Sequence, residues 1–181
     1  MWREWIKLVR INWTHYWQTL LRLRYGVTEH ELTIDHPLFP WMVKHTAFLL
    51  GRYLLRADGQ TAYGRRWGKC YASALCQFGE TVMCKLSQPT TATTNPPWHH
   101  AIWLGRDSTG NDIIVALDNG TVKKVRTIKR MPPDQQCDRK LLLSVTGLPE
   151  NPRGMGKLDK EFIVQLRYLQ DLQLQHETGK N

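Results

Sequence analysis

The sequence predicts an α+β protein: amphipathic helices first, then a small, strongly bent antiparallel sheet or barrel, then a loop and a helical tail. Three observations carry this. Apolar residues recur at helical spacing through the first third of the chain. After Phe78-Gly79 the period changes to alternation, and four short strands with tight turns follow within about fifty residues. Apolar residues at 41% and charged residues at 23% are ordinary globular values, which excludes wholesale disorder.

From 2 to 25, apolar side chains fall at 2, 5, 6, 9, 13, 16, 17, 20 and 21, with Arg3, Lys7, Arg10, Arg22 and Arg24 mostly off that stripe. Gly26 supplies a helix stop, and arginines in the last turn suit the negative end of the helix dipole. Four tryptophans, at 2, 5, 13 and 17, leave two readings of this helix: packing on a partner, or lying on a membrane surface. A second helix is expected at 38–56, capped by Asp35 with Pro37 in its first turn. Its buried face is read as Leu38, Trp41, Met42, His45, Phe48, Leu49, Tyr53 and Leu55. A short helix follows at 62–67, with Thr61 as its cap and Gly68 as its stop.

Residues 82–86 alternate as a strand, with Val82, Cys84 and Leu86 on one face. The tract at 89–97 is a polar, proline-ended loop. Strands are then expected at 99–106, 113–117 and 121–128, the last two joined by an Asp-Asn-Gly turn. Residues 138–145 form a short helix, 147–156 a loop and 158–176 a peripheral helix. No repeat is visible. No secretory leader is expected, and there is no run of about 18 uncharged apolar residues and no cysteine pairing pattern. The cysteines at 70, 76, 84 and 137 read as reduced thiols, and the chain as nuclear or cytoplasmic.

The net charge of +9 is uneven. Residues 1–56 carry eight Lys/Arg and four Asp/Glu, residues 57–130 ten and five, and residues 131–181 seven and seven, giving +4, +5 and 0. Such an excess suits a polyanionic partner, or simply a solvated basic surface. Two clusters stand out. Lys123, Lys124, Arg126, Lys129 and Arg130 lie on or just after the last strand. In a single extended strand Lys124 and Arg126 share a face with Val122 and Ile128, and Lys123 the other with Val125. Charges on an edge strand also prevent aggregation. Arg65, Arg66 and Lys69 are interleaved with Tyr63, Trp67 and Tyr71, a mixture suited to phosphates and exposed bases but equally to snorkelling over a core.

Other chemistry is weakly represented. His99-His100 with Cys84 or Cys76 matches no zinc spacing, and adjacent histidines in a strand face opposite ways. His36 and His45 read as structural rather than ligating. No phosphate-cradling glycine loop, nucleophile elbow or paired-carboxylate motif occurs. Neither a metal nor a cofactor is expected.

The ordered succession "HPLFPWMVKHTAFLLGRY", "DGQTAYGRRWGKCY", "FGETVMCKL" and "WHHAIWLGRDSTGNDIIVALDNGTVKKVRTIKRMPP" resembles the Pol polyprotein of copia-type retrotransposons, in the part that follows the integrase catalytic core. The likeness covers roughly 34–135. It implies a helix ending in Arg52-Tyr53 and a Src-homology-3-like barrel opened by Trp103-Leu104-Gly105. The implied division is a helical remnant of an integrase core at 1–70, the barrel at 71–135, and a loop and helical tail at 136–181. The family's strand transfer uses two Asp and one Glu around divalent metals. This chain has no counterpart of the two Asp-bearing strands. Glu4 is the one positional candidate for the Glu, and a single carboxylate holds such ions poorly. The resemblance therefore implies a truncated, non-catalytic integrase fragment with weak, nonspecific DNA binding through Arg65, Arg66, Lys69, Lys123, Lys124, Arg126, Lys129 and Arg130. The alternative is a protein-interaction or self-association module using the Trp-rich N-terminal helix, its partner another Pol-derived protein or a second copy.

Overall fold

The computed structural model describes residues 20, 23–28, 30–33, 35–86, 98–110 and 112–154. Most of the helix expected at 2–25, the loop at 89–97, the helix at 158–176 and Glu4 lie outside the described residues.

The first complete element is α1 (Leu38–Tyr53). Its N-terminal N–H groups are met in an unexpected way. The N-cap position is Pro37, and the acceptor for Leu38 N–H is His36 Nδ1, at 3.2 Å, rather than Asp35. The same ring reaches the Leu143 carbonyl through Nε2, at 3.3 Å. One nitrogen accepts and the other donates, so the neutral Nε2–H tautomer satisfies both contacts. Burial holds His36 below the ordinary histidine range, in keeping with that neutral form. α2 (Ala62–Trp67) begins as expected, with Thr61 Oγ1 accepting from Gly64 N–H at 2.9 Å, and ends at Gly68 in the left-handed region.

Five antiparallel strands follow: β1 (Thr81–Lys85), β2 (Trp98–Arg106), β3 (Ile113–Leu117), β4 (Val122–Val125) and β5 (Ile128–Arg130). A 3-10 turn (Pro133–Gln135) leads to α3 (Arg139–Leu143), where Asp138 caps by accepting from Leu141 N–H. The single strand expected at 121–128 is thus two. The chain turns at Arg126-Thr127 because Val125 pairs with Ile113, where β3 begins, whereas Ile128 pairs with Cys84 of β1.

The strand order is β4-β3-β2-β1-β5. Its ends are consecutive in sequence and separated by two residues. A three-residue step spans at most about 11 Å, whereas four flat interstrand spacings need about 19 Å. The sheet therefore curls until its edges approach. β2 bends to allow this: residues 98–102 pair with β1, residues 101–106 with β3, and the register shifts between Trp103 and Gly105. That bulge is where Gly105 adopts φ +137°.

Curling leaves both sheet faces dry. On the inner face Val82, Cys84, Ala101, Trp103, Ile113, Val115, Leu117 and Val125 form one buried cluster, with Leu75, Cys76, Leu86 and Ile128 packed against it. On the outer face Ile102, Leu104, Ile114, Ala116 and Val122 meet Leu38, Phe39, Trp41 and Met42 of α1, together with Leu141, Leu142 and Val145. Large apolar side chains buried this way contribute about 1.5–3 kcal/mol each. β3, buried at all five positions, lies between the two clusters. Ile128 packs on the inner cluster and Val122 on the outer, so they do not share the face expected of a continuous strand.

The segment after α3 is part of this assembly. Trp41 Nε1 donates to the Gly147 carbonyl at 2.7 Å, and Val122 N–H to the Pro152 carbonyl at 2.7 Å. Thr146 and Gly147 N–H groups both reach the Gly120 carbonyl. Gly120 has φ +78°, and a Cβ there would lie 2.3 Å from the Ser144 carbonyl oxygen. Gly120→Ala is therefore expected to lower unfolding free energy by about 2 kcal/mol or more, from backbone strain plus the clash. Urea denaturation checks this, and a change below about 0.5 kcal/mol would refute the packing described for this turn.

Candidate nucleic-acid interface

The cations singled out in the sequence fall on separate parts of the surface, and their partners differ. Arg65 turns back to Asp58, whose other oxygen accepts from Gln60 N–H at 3.2 Å. Arg66 lies over the Trp67 ring, 5.2 Å from its centroid. Lys69 is exposed just past the Gly68 cap.

On the sheet, Lys124 and Lys123 sit opposite Ile114 and Val115, on opposite faces of edge strand β4, and both are exposed. Lys124 Nζ lies 2.8 Å from Asp107 Oδ2. That buried carboxylate also accepts from Thr109 Oγ1 and Ser108 N–H. Lys124 and these donors hold the Asp107 carboxyl below the usual range, and the same contact raises Lys124. Arg126 approaches Asp112 at 3.9 Å, a loose and solvated pair.

β5 lies at the other edge. Arg130 makes two parallel bonds to Glu80, Nε to Oε1 at 2.7 Å and Nη2 to Oε2 at 2.9 Å. The Glu80 side chain is fully buried, while that of Arg130 is 54% exposed. Glu80 Oε2 accepts from Gln77 N–H as well, and the Glu80 carbonyl from Trp103 N–H. Arg130 thus clamps the last strand to the start of β1. Lys129 faces the other way, on the rung of Met83 and His100.

Of the eight cations, Arg65, Lys124, Arg126 and Arg130 face carboxylates. Arg66, Lys69, Lys123 and Lys129 have no carboxylate partner among the described residues. The β1–β5 face adds two residues that the sequence reading missed. Lys85 and Trp98 are cross-strand partners, the Lys85 ammonium 5.2 Å from the Trp98 centroid. Their proximity depends on the β1–β2 register, which the intervening polar tract hides from any local pattern.

Helix α1 and its neighbours hold a second group of rings. The Arg52 guanidinium lies 3.6 Å from the Phe48 centroid, 5.2 Å from Tyr71 and 5.7 Å from Tyr63, and Nη2 reaches the Ser108 carbonyl at 3.4 Å. Tyr71 meets Phe48, Tyr53 and Tyr63 edge-on. Tyr53 and Leu55, expected on the buried face, are exposed instead, because α1 ends at Tyr53 and Leu54 turns into extended backbone.

The remaining candidates are structural. His45 is buried among Phe48, Phe78 and Trp103, over Gly105, and burial lowers it to about 4. Cys84 and His99 share a rung, while His100 is on the opposite face. Among the described residues no three His, Cys, Asp or Glu side chains converge as a metal site. Burial, with the charge of Glu80, pushes the Cys76 thiol up to about 11, so it is protonated and a poor nucleophile at neutral pH. No helix among the described residues is long and apolar enough to cross a membrane.

No protein-family model, curated protein or solved structure matches the chain.

Two outcomes follow from this geometry. Arg130→Ala strands a buried carboxylate and is expected to cost about 2 kcal/mol or more of stability. Lys129→Ala on the same strand should stay within about 0.5 kcal/mol. Equal denaturant midpoints for the two variants would contradict the clamp. For His45, the unfolded chain takes its proton near 6.5, whereas the folded chain resists until about 4. Stability is therefore complete above 6.5 and falls as pH drops toward 4, by up to about 3 kcal/mol. His45→Phe should flatten melting temperature across that window, leaving the smaller contribution of His36, which has the same sign; an unchanged slope would contradict the assignment.

Proposed function

We propose that this chain is a retroelement-derived, integrase-like DNA-binding segment that attaches weakly and without sequence preference to duplex phosphates, and that it performs no strand transfer. The observation that carries this is the charge arrangement. Arg66, Lys69, Lys123 and Lys129 are exposed cations with no acid opposite them among the described residues. Exposed lysines and arginines of this kind bind phosphate by displacing its counterions.

Two further features support the reading. The strand order β4-β3-β2-β1-β5, with β2 shared between two halves and a two-residue β4–β5 link, suits the Src-homology-3-like barrel that the sequence resemblance implies. The best-placed carboxylates serve the fold: Glu80 holds Arg130, Asp107 holds Lys124 and Asp138 caps α3. Each of these three is accounted for by the fold itself.

Fluorescence anisotropy with a labelled duplex, read across a salt series, tests the proposal. Each engaged cation steepens the log–log salt slope by about 0.9. Lys123→Ala and Lys129→Ala should each make that slope shallower by about 1 while leaving melting temperature unchanged. Absence of binding at low salt, or binding indifferent to salt, would sink the proposal.

A further inference from the structure

Resting on the DNA-binding reading above, we propose that the surface formed by the end of α1 and by α2 is a stacking platform for the unpaired bases of single-stranded DNA, with Trp67 as the ring on which a base lies.

The first observation is exposure. Trp67 is 57% exposed and Tyr53 47%, whereas Trp41 and Trp103 are almost wholly buried. Leu54 and Leu55, which follow Tyr53 in the chain, are exposed as well. The second is what lies beneath. Tyr63 is 6.3 Å from Trp67 and 5.2 Å from Tyr71, and Tyr71 contacts both Tyr53 and Phe48. Under them Arg52 stacks on Phe48 and ties the group to Ser108. The ring layer is thus continuous from core to surface. Its outer members are held in place before any ligand arrives, which lowers the entropy lost on binding.

The third observation is charge, and it selects the partner. Residues 54–71 contain Arg56, Arg65, Arg66 and Lys69 against a single acid, Asp58, which is already bound to Arg65. The Arg66 guanidinium lies over one face of the Trp67 ring, where it can meet a phosphate of the strand whose base stacks on the opposite face. An apolar protein partner would leave these cations unanswered. A duplex could satisfy the cations, but its bases are stacked on one another and unavailable to the rings. A single strand satisfies both, since every base presents a π-face.

The full chain is titrated into labelled oligothymidylate, which does not pair with itself, and into a labelled duplex of equal length. Trp67→Ala should weaken oligothymidylate binding about tenfold, as expected for one lost stacked base. Duplex affinity and the salt slopes should be unchanged, and Trp67→Phe should retain most of the binding. Should the alanine variant melt early, Trp67→Leu, which keeps bulk without a stacking ring, takes its place. If the wild-type chain binds duplex but Trp67→Ala loses nothing, or loses equally on both probes, this inference is overturned and the DNA-binding reading stands. If the wild-type chain binds neither probe at low salt, both are overturned. A wild-type dimer in sedimentation that Trp67→Ala converts to monomer marks the patch as a protein interface and also overturns the inference.

Discussion

β2 must pair with β1 along its first half and with β3 along its second, and those partners cannot lie in one plane when β4 and β5 are joined by two residues. The bend at Trp103–Gly105 resolves that conflict, and much of the molecule is arranged around it. His45 sits over Gly105, 3.2 Å from where a Cβ would be, so only glycine combines the backbone angle with this close approach. Trp103, two residues before Gly105 at the same bend, meets the His45 ring edge-on. The bulge therefore curves the sheet and also sets how closely α1 can settle on it.

Electrostatics in this fold is divided between construction and display. Burying Glu80 is tolerable because Arg130, Gln77 N–H and the geometry of a bidentate pair satisfy its oxygens together. A three-residue edge strand has few ladder bonds of its own, so the clamp to Glu80 is a substantial part of what keeps β5 in register. The neighbouring Lys129 has no such duty. Charged residues that look equivalent in sequence, two positions on one basic run, thus belong to different economies of the structure.

Much of the local architecture was legible in the sequence. Thr61 and Gly68 bracket α2, Asp138 caps α3, β3 spans 113–117, and alternation placed Val82 and Cys84 inward. These features depend on neighbours within a few residues. What was not legible depends on long-range pairing. The break at Arg126-Thr127 follows from which strands accept Val125 and Ile128, and nothing in the local alternation marks it. Asp35 has the right side chain for a cap, but the neighbouring His36 takes the Leu38 N–H because its ring is also fixed from outside, by Leu143. For the candidate site, residue type identified the eight cations, but only the fold separates those matched with carboxylates from those left facing solvent. The Lys85–Trp98 contact is the same kind of omission, made by register alone.

The turn at Gly120 is closed by groups that arrive late in the chain: the Ser144 carbonyl oxygen lies 2.3 Å from where a Cβ would be, and Pro152 accepts from Val122. A chain synthesised from its N-terminus consequently makes β3 and β4 with α1 already in hand but before the segment that closes their turn exists. The outer face of the sheet, with Ile114, Ala116 and Val122, has α1 available at once, but it gains Leu141, Leu142 and Val145, and the Pro152 acceptor for Val122 N–H, only after those residues have left the ribosome. The β3–β4 turn is thereby closed from behind, and a nascent chain stalled at α3 leaves the Val122 N–H without its Pro152 acceptor.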